Sequence, residues 1–187
     1  MTNTHQPHHL CPWWPAYFFD NPLRRLFHNP ARLFSPYLKT GMTAVDVGCG
    51  MGYFSIGMAR LVGPTGRVWA VDVQEKILRV AARRFKRAGV DGIVTPHQCR
   101  PDALDVPGFA DFVLNFWSLH EMPDATVAAR QIANLLLPGG IYFLAEPTGH
   151  VSPARFERLS GFVESAGLVR VAQLHVALSI AAVYRKP

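Results

Sequence analysis

Cysteine is scarce in this 187-residue chain: Cys11, Cys49 and Cys99 are an odd number with no metal-ligand spacing. That excludes a disulfide framework and a zinc-ribbon type of site, and a reducing, cytoplasmic setting is the simple expectation. No apolar run approaches the ~18–20 residues that cross a bilayer, so no transmembrane helix is expected. The N-terminus lacks a basic stretch followed by an apolar one, and secretion is not expected. Charged side chains make up only 17% of the residues while 49% are hydrophobic, a balance that argues against disorder. A chain of this length forms one compact unit with a sizeable core.

Acidic residues are also few. Thirteen carboxylates against nineteen Lys and Arg leave a net charge of +6, which invites a nucleic-acid reading. Much of the excess lies in Arg79, Arg83, Arg84, Lys86 and Arg87. Positions 79, 83, 86 and 87 share one helical face opposite Ile77, Ala81, Phe85 and Ala88, the pattern of a solvated surface. With no basic tail and no added RNA-binding module, nucleic acid is disfavoured as a partner.

Between residues 43 and 187 strand patterns alternate with amphipathic helices. Strands are expected at Thr43–Val47, Arg67–Asp72, 93–98, Ala110–Phe116 and 141–145, with helices at Tyr53–Val62, 74–88, after Asp124 and after Ser152-Pro153. The tail reads as two strands, 168–175 and 177–184, joined almost directly. The fold class is therefore α/β: a doubly wound, mostly parallel seven-stranded sheet closed by an antiparallel hairpin. Residues 41–187 form this domain, and residues 1–40 precede it as a helical, aromatic cover segment. In that segment, Asn21-Pro22 and Asn29-Pro30 mark two helix starts, the second running to about Leu38. The aromatic run Trp13 to Phe19 can pack as core, close over a pocket as a lid, or touch a membrane surface beside Arg24, Arg25 and Arg32.

The most informative stretch is Val45-Asp46-Val47-Gly48-Cys49-Gly50-Met51-Gly52-Tyr53-Phe54, an apolar strand, a glycine turn and a helix start. Glycines let such a turn adopt positive φ and approach a ligand closely, and the helix N-terminus offers free N–H groups. Asp72 ends the next strand about 20 residues beyond the last glycine, the spacing at which a carboxylate reaches a ribose diol. Together these signals point to adenosine recognition. The glycines run G-x-G-x-G rather than the dinucleotide G-x-G-x-x-G, and Asp46 just ahead would repel a pyrophosphate but suit an ammonium group.

This loop resembles the first motif of class I S-adenosylmethionine-dependent methyltransferases, and the resemblance extends over about residues 40–187. It implies a Rossmann-like methyltransferase with S-adenosylmethionine as cofactor and S-adenosylhomocysteine as product. On the family pattern, Asp46, Gly48, Cys49, Gly50 and Gly52 hold the methionine end, Asp72 the ribose, and Val73 the adenine face. The loop after the third strand reads Cys99-Arg100-Pro101-Asp102-Ala103 instead of the commoner Gly-Asp-Ala. The adenine edge could therefore meet Asp102, the backbone near Cys99, or a stacked Arg100. Asn115 joins the expected cofactor residues. Leu136-Leu137-Pro138-Gly139-Gly140 matches a late structural motif of the family.

The run Asn115-Phe116-Trp117-Ser118-Leu119-His120-Glu121 is similar to the small-molecule, type 11 methyltransferases. It lacks the Asn/Asp-Pro-Pro-aromatic signature of DNA amino-methylases. No metal is expected, since the carboxylates of a metal-dependent catechol site are absent. His120 is the candidate base, with Glu121 to orient or replace it. Tyr17, Trp117, His120 and Glu146 are expected to line the acceptor pocket, with His28 and His150 as further candidates. The expected reaction is methyl transfer to a small, apolar or aromatic metabolite at oxygen, nitrogen, sulfur or carbon. An RNA methyltransferase using helix 74–88 and a non-catalytic cofactor-binding subunit stand as alternatives.

Overall fold

The computed structural model describes residues 24–187. Tyr17 and the aromatic run around it lie outside the described residues. The helices are α1 (Arg24–Phe27), α2 (Pro30–Phe34), α3 (Tyr53–Val62), α4 (Glu75–Arg87), α5 (Ala125–Leu135) and α6 (Pro153–Ser165). The strands are β1 (Thr43–Val47), β2 (Arg67–Asp72), β3 (Val94–Gln98), β4 (Ala110–Phe116), β5 (Leu136–Pro147), β6 (Val169–Val176) and β7 (Ser179–Arg185).

They form one seven-stranded sheet in the order β3-β2-β1-β4-β5-β7-β6. All neighbours are parallel except β7, which runs antiparallel to both β5 and β6. Alternation along β1 sends Ala44 to one face and Val45 and Val47 to the other, so each face builds its own core. Phe34 of α2, Phe54 and Met58 of α3 and Phe85 of α4 join the first core. Ala129 and Ile132 of α5 and Phe156 and Val163 of α6 join the second. The basic side chains 79, 83, 86 and 87 of α4 are exposed, while Ile77, Ala81 and Phe85 are buried.

The local chemistry explains the element ends. The Asn29 side chain accepts from the N–H groups of Ala31 and Arg32, and Asp124 caps α5 by accepting from Thr126 and Val127. Two boundaries differ from the sequence expectation by more than two residues. The α2 helix stops at Phe34, although Leu38 N–H still bonds back to the Phe34 carbonyl in a loose further turn. The β5 strand begins at Leu136, five residues early. Leu136 pairs with Ala110, and Gly139 and Gly140 exchange backbone hydrogen bonds with Lys186, so the Pro-Gly-Gly turn is drawn into the sheet.

The chain winds from β1 outward to β3 and then returns to β4 on the other side of β1. The loops after β1 and β4 therefore diverge, opening a crevice at the carboxyl ends of the strands.

Candidate active site

A cavity of about 740 Å³ occupies that crevice. One end is walled by the glycine turn, by Asp72, Val73 and Gln74 after β2, and by Cys99 to Leu104 after β3. The other end is walled by Tyr53, Phe54, Phe116, Trp117, His120, Glu121, His150 and Leu178.

The glycine turn is built as its residue types require. Gly48, Gly50 and Gly52 have φ of +73°, +52° and +77°, the region where a side chain is strained. The N–H groups of Gly48 and Cys49 both donate to the Val71 carbonyl at 2.9 Å, which fastens the turn to β2. Asp72 is buried and holds the turn from the other side. Its carboxylate accepts from Gly50 N at 3.1 Å and Gln74 N at 2.9 Å. Burial raises the Asp72 pKa, and these backbone N–H groups oppose that rise. Asp46, also buried, accepts from the Ser55 hydroxyl at 2.6 Å.

Beyond β3, Arg100 pairs with Asp102 at 3.2 Å and with Asp105 at 3.1 Å, and all three side chains are more than half exposed. Cys99 donates its N–H to the Asp72 carbonyl. Burial pushes the Cys99 thiol up to about 11 and raises the Cys49 thiol well above its ordinary value, so both stand as neutral thiols at pH 7. Among the described residues no group of His, Cys, Asp and Glu is arranged to hold a metal ion.

At the other end, a 3₁₀ turn over Leu119–Glu121 presents His120, whose side chain is 8% exposed. Its Nδ1 lies 2.5 Å from the fully buried Glu146 carboxylate, which also accepts from the His120 backbone N–H. Arg155 of α6 donates to the His120 carbonyl at 3.1 Å. Glu121, the expected orienter, stands 3.8 Å from His120 Nε2 and is 42% exposed. Its pKa is raised by burial, with His120 acting in the opposite sense.

Four expected site residues lie off the cavity wall: Asn115, His28, Gly52, which faces Phe85, and Glu146, which is fully buried against His120. Asn115 is absent from the cavity wall; it is buried behind it, with Nδ2 donating to Ser118 Oγ at 2.8 Å and Oδ1 accepting from Tyr142. The reason is register: alternation turns Asn115 into the sheet interior, opposite Val47 of β1. His28 also stays off the cavity wall, its ring packed edge-on to Phe116 and Trp117 and bonded to the Ala177 carbonyl at 2.7 Å. Trp117 lines the cavity with φ at +65°, held by its N–H to Ala145 and its indole N–H to Ser179. Ser118, Ser55, Tyr142 and Arg155 were not foreseen. Each acts across a fold contact that no local pattern announces.

The sheet order, the antiparallel closing strand and the glycine-turn crevice define the class I fold of S-adenosylmethionine-dependent methyltransferases. A solved methyltransferase of that kind from Aquifex aeolicus superposes with a TM-score of 0.82 at 22% identity, covering 93% of this chain and 97% of that one. The family model for the methyltransferase domain matches residues 44–140, just over half of the chain, and the chain belongs to that family. It is 36% identical over 149 residues to the ubiquinone biosynthesis O-methyltransferase of Xanthomonas euvesicatoria, spanning 77% of this chain and 59% of that protein. It is 31% identical over 119 residues to a demethylmenaquinone methyltransferase of Staphylococcus aureus, spanning 62% and 47%. The chain thus spans between about half and three-fifths of the length of these relatives.

Proposed function

We propose that the chain binds S-adenosylmethionine and transfers its methyl group to a small, apolar or aromatic metabolite. The observation that carries this reading is one continuous cavity joining the glycine turn and Asp72 to an aromatic end that holds His120. The residues suit the cofactor. A Cβ built on Gly50 meets nothing within 4 Å, so the turn leaves open room there for a ligand. Asp72 offers the carboxylate that a ribose diol needs, and Asp46 a negative charge for the methionine ammonium. Val73, on the cavity wall beside Asp72, packs on the adenine in this reading. Cys99, Arg100 and Asp102 are the candidates for its edge.

When bound, the cofactor supplies a methyl group already activated on a sulfonium, so the protein's main task is alignment. Phe54, Phe116, Trp117 and Leu178 exclude water and orient an apolar acceptor. His120 serves as proton acceptor, with Glu121 at the cavity rim. The similarity to two quinone-pathway methyltransferases accords with an apolar acceptor. The free thiols Cys49 and Cys99 accord with a reducing, cytoplasmic location.

The test is calorimetric titration with S-adenosylmethionine, S-adenosylhomocysteine and NAD, alongside Asp72→Ala. Micromolar binding of the two sulfur nucleotides, weakened in the variant and absent for NAD, is the expected result. No binding of either sulfur nucleotide refutes the reading.

A further inference from the structure

Among the described residues, three that are not glycine have positive φ: Asp105 at +48°, Trp117 at +65° and Leu178 at +57°. Aspartate tolerates the left-handed region, whereas tryptophan and leucine enter it only under strain. Both strained residues, Trp117 and Leu178, line the acceptor end of the cavity. Leu178 is the second residue of the two-residue connection Ala177-Leu178 between β6 and β7. Glycine or asparagine is the unstrained choice at such a place. The Leu178 side chain is also 66% exposed, so core packing does not account for a leucine there.

One set of hydrogen bonds holds both residues in place. The Trp117 indole N–H donates to Ser179 Oγ at 2.9 Å, and that hydroxyl donates to the Ala177 carbonyl at 3.2 Å. His28 Nε2 bonds to the same carbonyl at 2.7 Å, and its ring stands perpendicular to that of Trp117. Thr148, on the cavity wall after β5, donates its backbone N–H and its hydroxyl to the Leu178 carbonyl at 3.1 and 3.3 Å. Strain fixed so firmly by its surroundings is characteristic of ligand sites.

Resting on the methyl-transfer reading above, we infer that Trp117 and Leu178 are the specificity-determining pair of the acceptor site, and that the acceptor is a ring compound bearing an apolar substituent that projects through the cavity mouth. Trp117 is half-buried on the wall and supplies the aromatic surface on which the ring is seated. Leu178 stands where that wall meets solvent. An acceptor enclosed wholly within the cavity would make no use of so exposed a side chain, whereas one that protrudes would bury it. Each methylene withdrawn from water against Leu178 strengthens binding about fourfold.

The experiment is calorimetric titration of the full chain, saturated with S-adenosylhomocysteine, with 2-naphthol and 6-butyl-2-naphthol. Wild type should bind the butyl compound about 15–60-fold more tightly, the gain from roughly two or three buried methylenes. Leu178→Asn keeps a residue that accepts the left-handed region but presents a polar surface. In that variant the butyl gain should shrink by at least about fourfold. Its melting temperature should match or exceed that of wild type. Trp117→Leu should weaken both probes by the same factor, up to about tenfold.

An equal butyl gain in wild type and Leu178→Asn overturns the inference. So does a marked fall in the melting temperature of Leu178→Asn, since the leucine would then serve the fold. Failure of S-adenosylhomocysteine to bind sinks the methyl-transfer reading instead, and the ratio of the two probes on the ligand-free protein still decides the role of Leu178.

Discussion

Replacing Gly48 by alanine tests how the glycine turn is held. Two costs apply. Alanine at φ +73° occupies the left-handed region, at about 1–2 kcal/mol. The new Cβ would also fall 2.4 Å from Ser118 Cβ. That atom sits next to the backbone, and its hydroxyl is already fixed by donating to the Val47 carbonyl and accepting from Asn115. Relieving such overpacking costs about 1–3 kcal/mol more. A central loss of about 3 kcal/mol lowers the melting temperature of a domain this size by roughly 6–12 °C.

Gly50→Ala is the internal comparison. Its φ is +52°, but nothing lies within 4 Å of the added Cβ. It should lose only about 1 kcal/mol of stability, while its methyl group intrudes on the cavity and weakens the sulfur nucleotides. Scanning calorimetry measures both variants, and titration calorimetry measures binding. The double variant Gly48→Ala/Ser118→Gly removes the clash and should lose less stability than the sum of its singles. Equal destabilisation by Gly48→Ala and Gly50→Ala would refute the argument.

Asp72→Asn should reduce S-adenosylmethionine affinity by about 10–100-fold, following the loss of roughly one charge-assisted hydrogen bond. Because burial raises the Asp72 pKa, the ionised acceptor is lost at a higher pH than for an ordinary aspartate. Wild-type affinity should therefore fall on acidification from above the usual carboxylate range, and the variant's affinity should show no such step. Asp124 behaves in the opposite sense. Its bonds from the Val127 and Thr126 N–H groups hold its pKa below the ordinary value. Its capping contribution is present above the unfolded-state pKa and disappears as pH falls through the folded one, so Asp124→Asn should flatten the acid limb of the stability curve. Tyr184→Phe removes the 2.6 Å hydrogen bond to the buried Ser160 hydroxyl and should cost about 1 kcal/mol in chemical denaturation, with an unchanged slope.

Much of the architecture was legible in the chain. The strands Thr43–Val47, Arg67–Asp72 and Ala110–Phe116 and the helix Tyr53–Val62 have the bounds their periodicity implies, because hydrophobic alternation and capping act over a few residues. The glycine turn and Asp72 were legible for the same reason: backbone conformation and strand length place them without help from distant parts. Near Pro138-Gly139-Gly140 local signals misled. Those residues suit a turn, yet pairing with Lys186 and Ala110 draws them into β5.

The chemistry of the acceptor end belongs to the tertiary structure. His120 and Glu121 stand side by side in sequence, which made Glu121 the natural orienter. Adjacent side chains on a 3₁₀ turn diverge, whereas β5 delivers Glu146 from 26 positions away directly to Nδ1. Asn115 shows the same limit from the other direction, being polar, beside the site and turned inward by sheet register. By itself the sequence determined the fold, the glycine turn and the carboxylate of Asp72 at the end of β2, since each follows from local backbone preference and spacing. Only the folded sheet decided which carboxylate holds the histidine, because that contact depends on the order and register of β4 and β5.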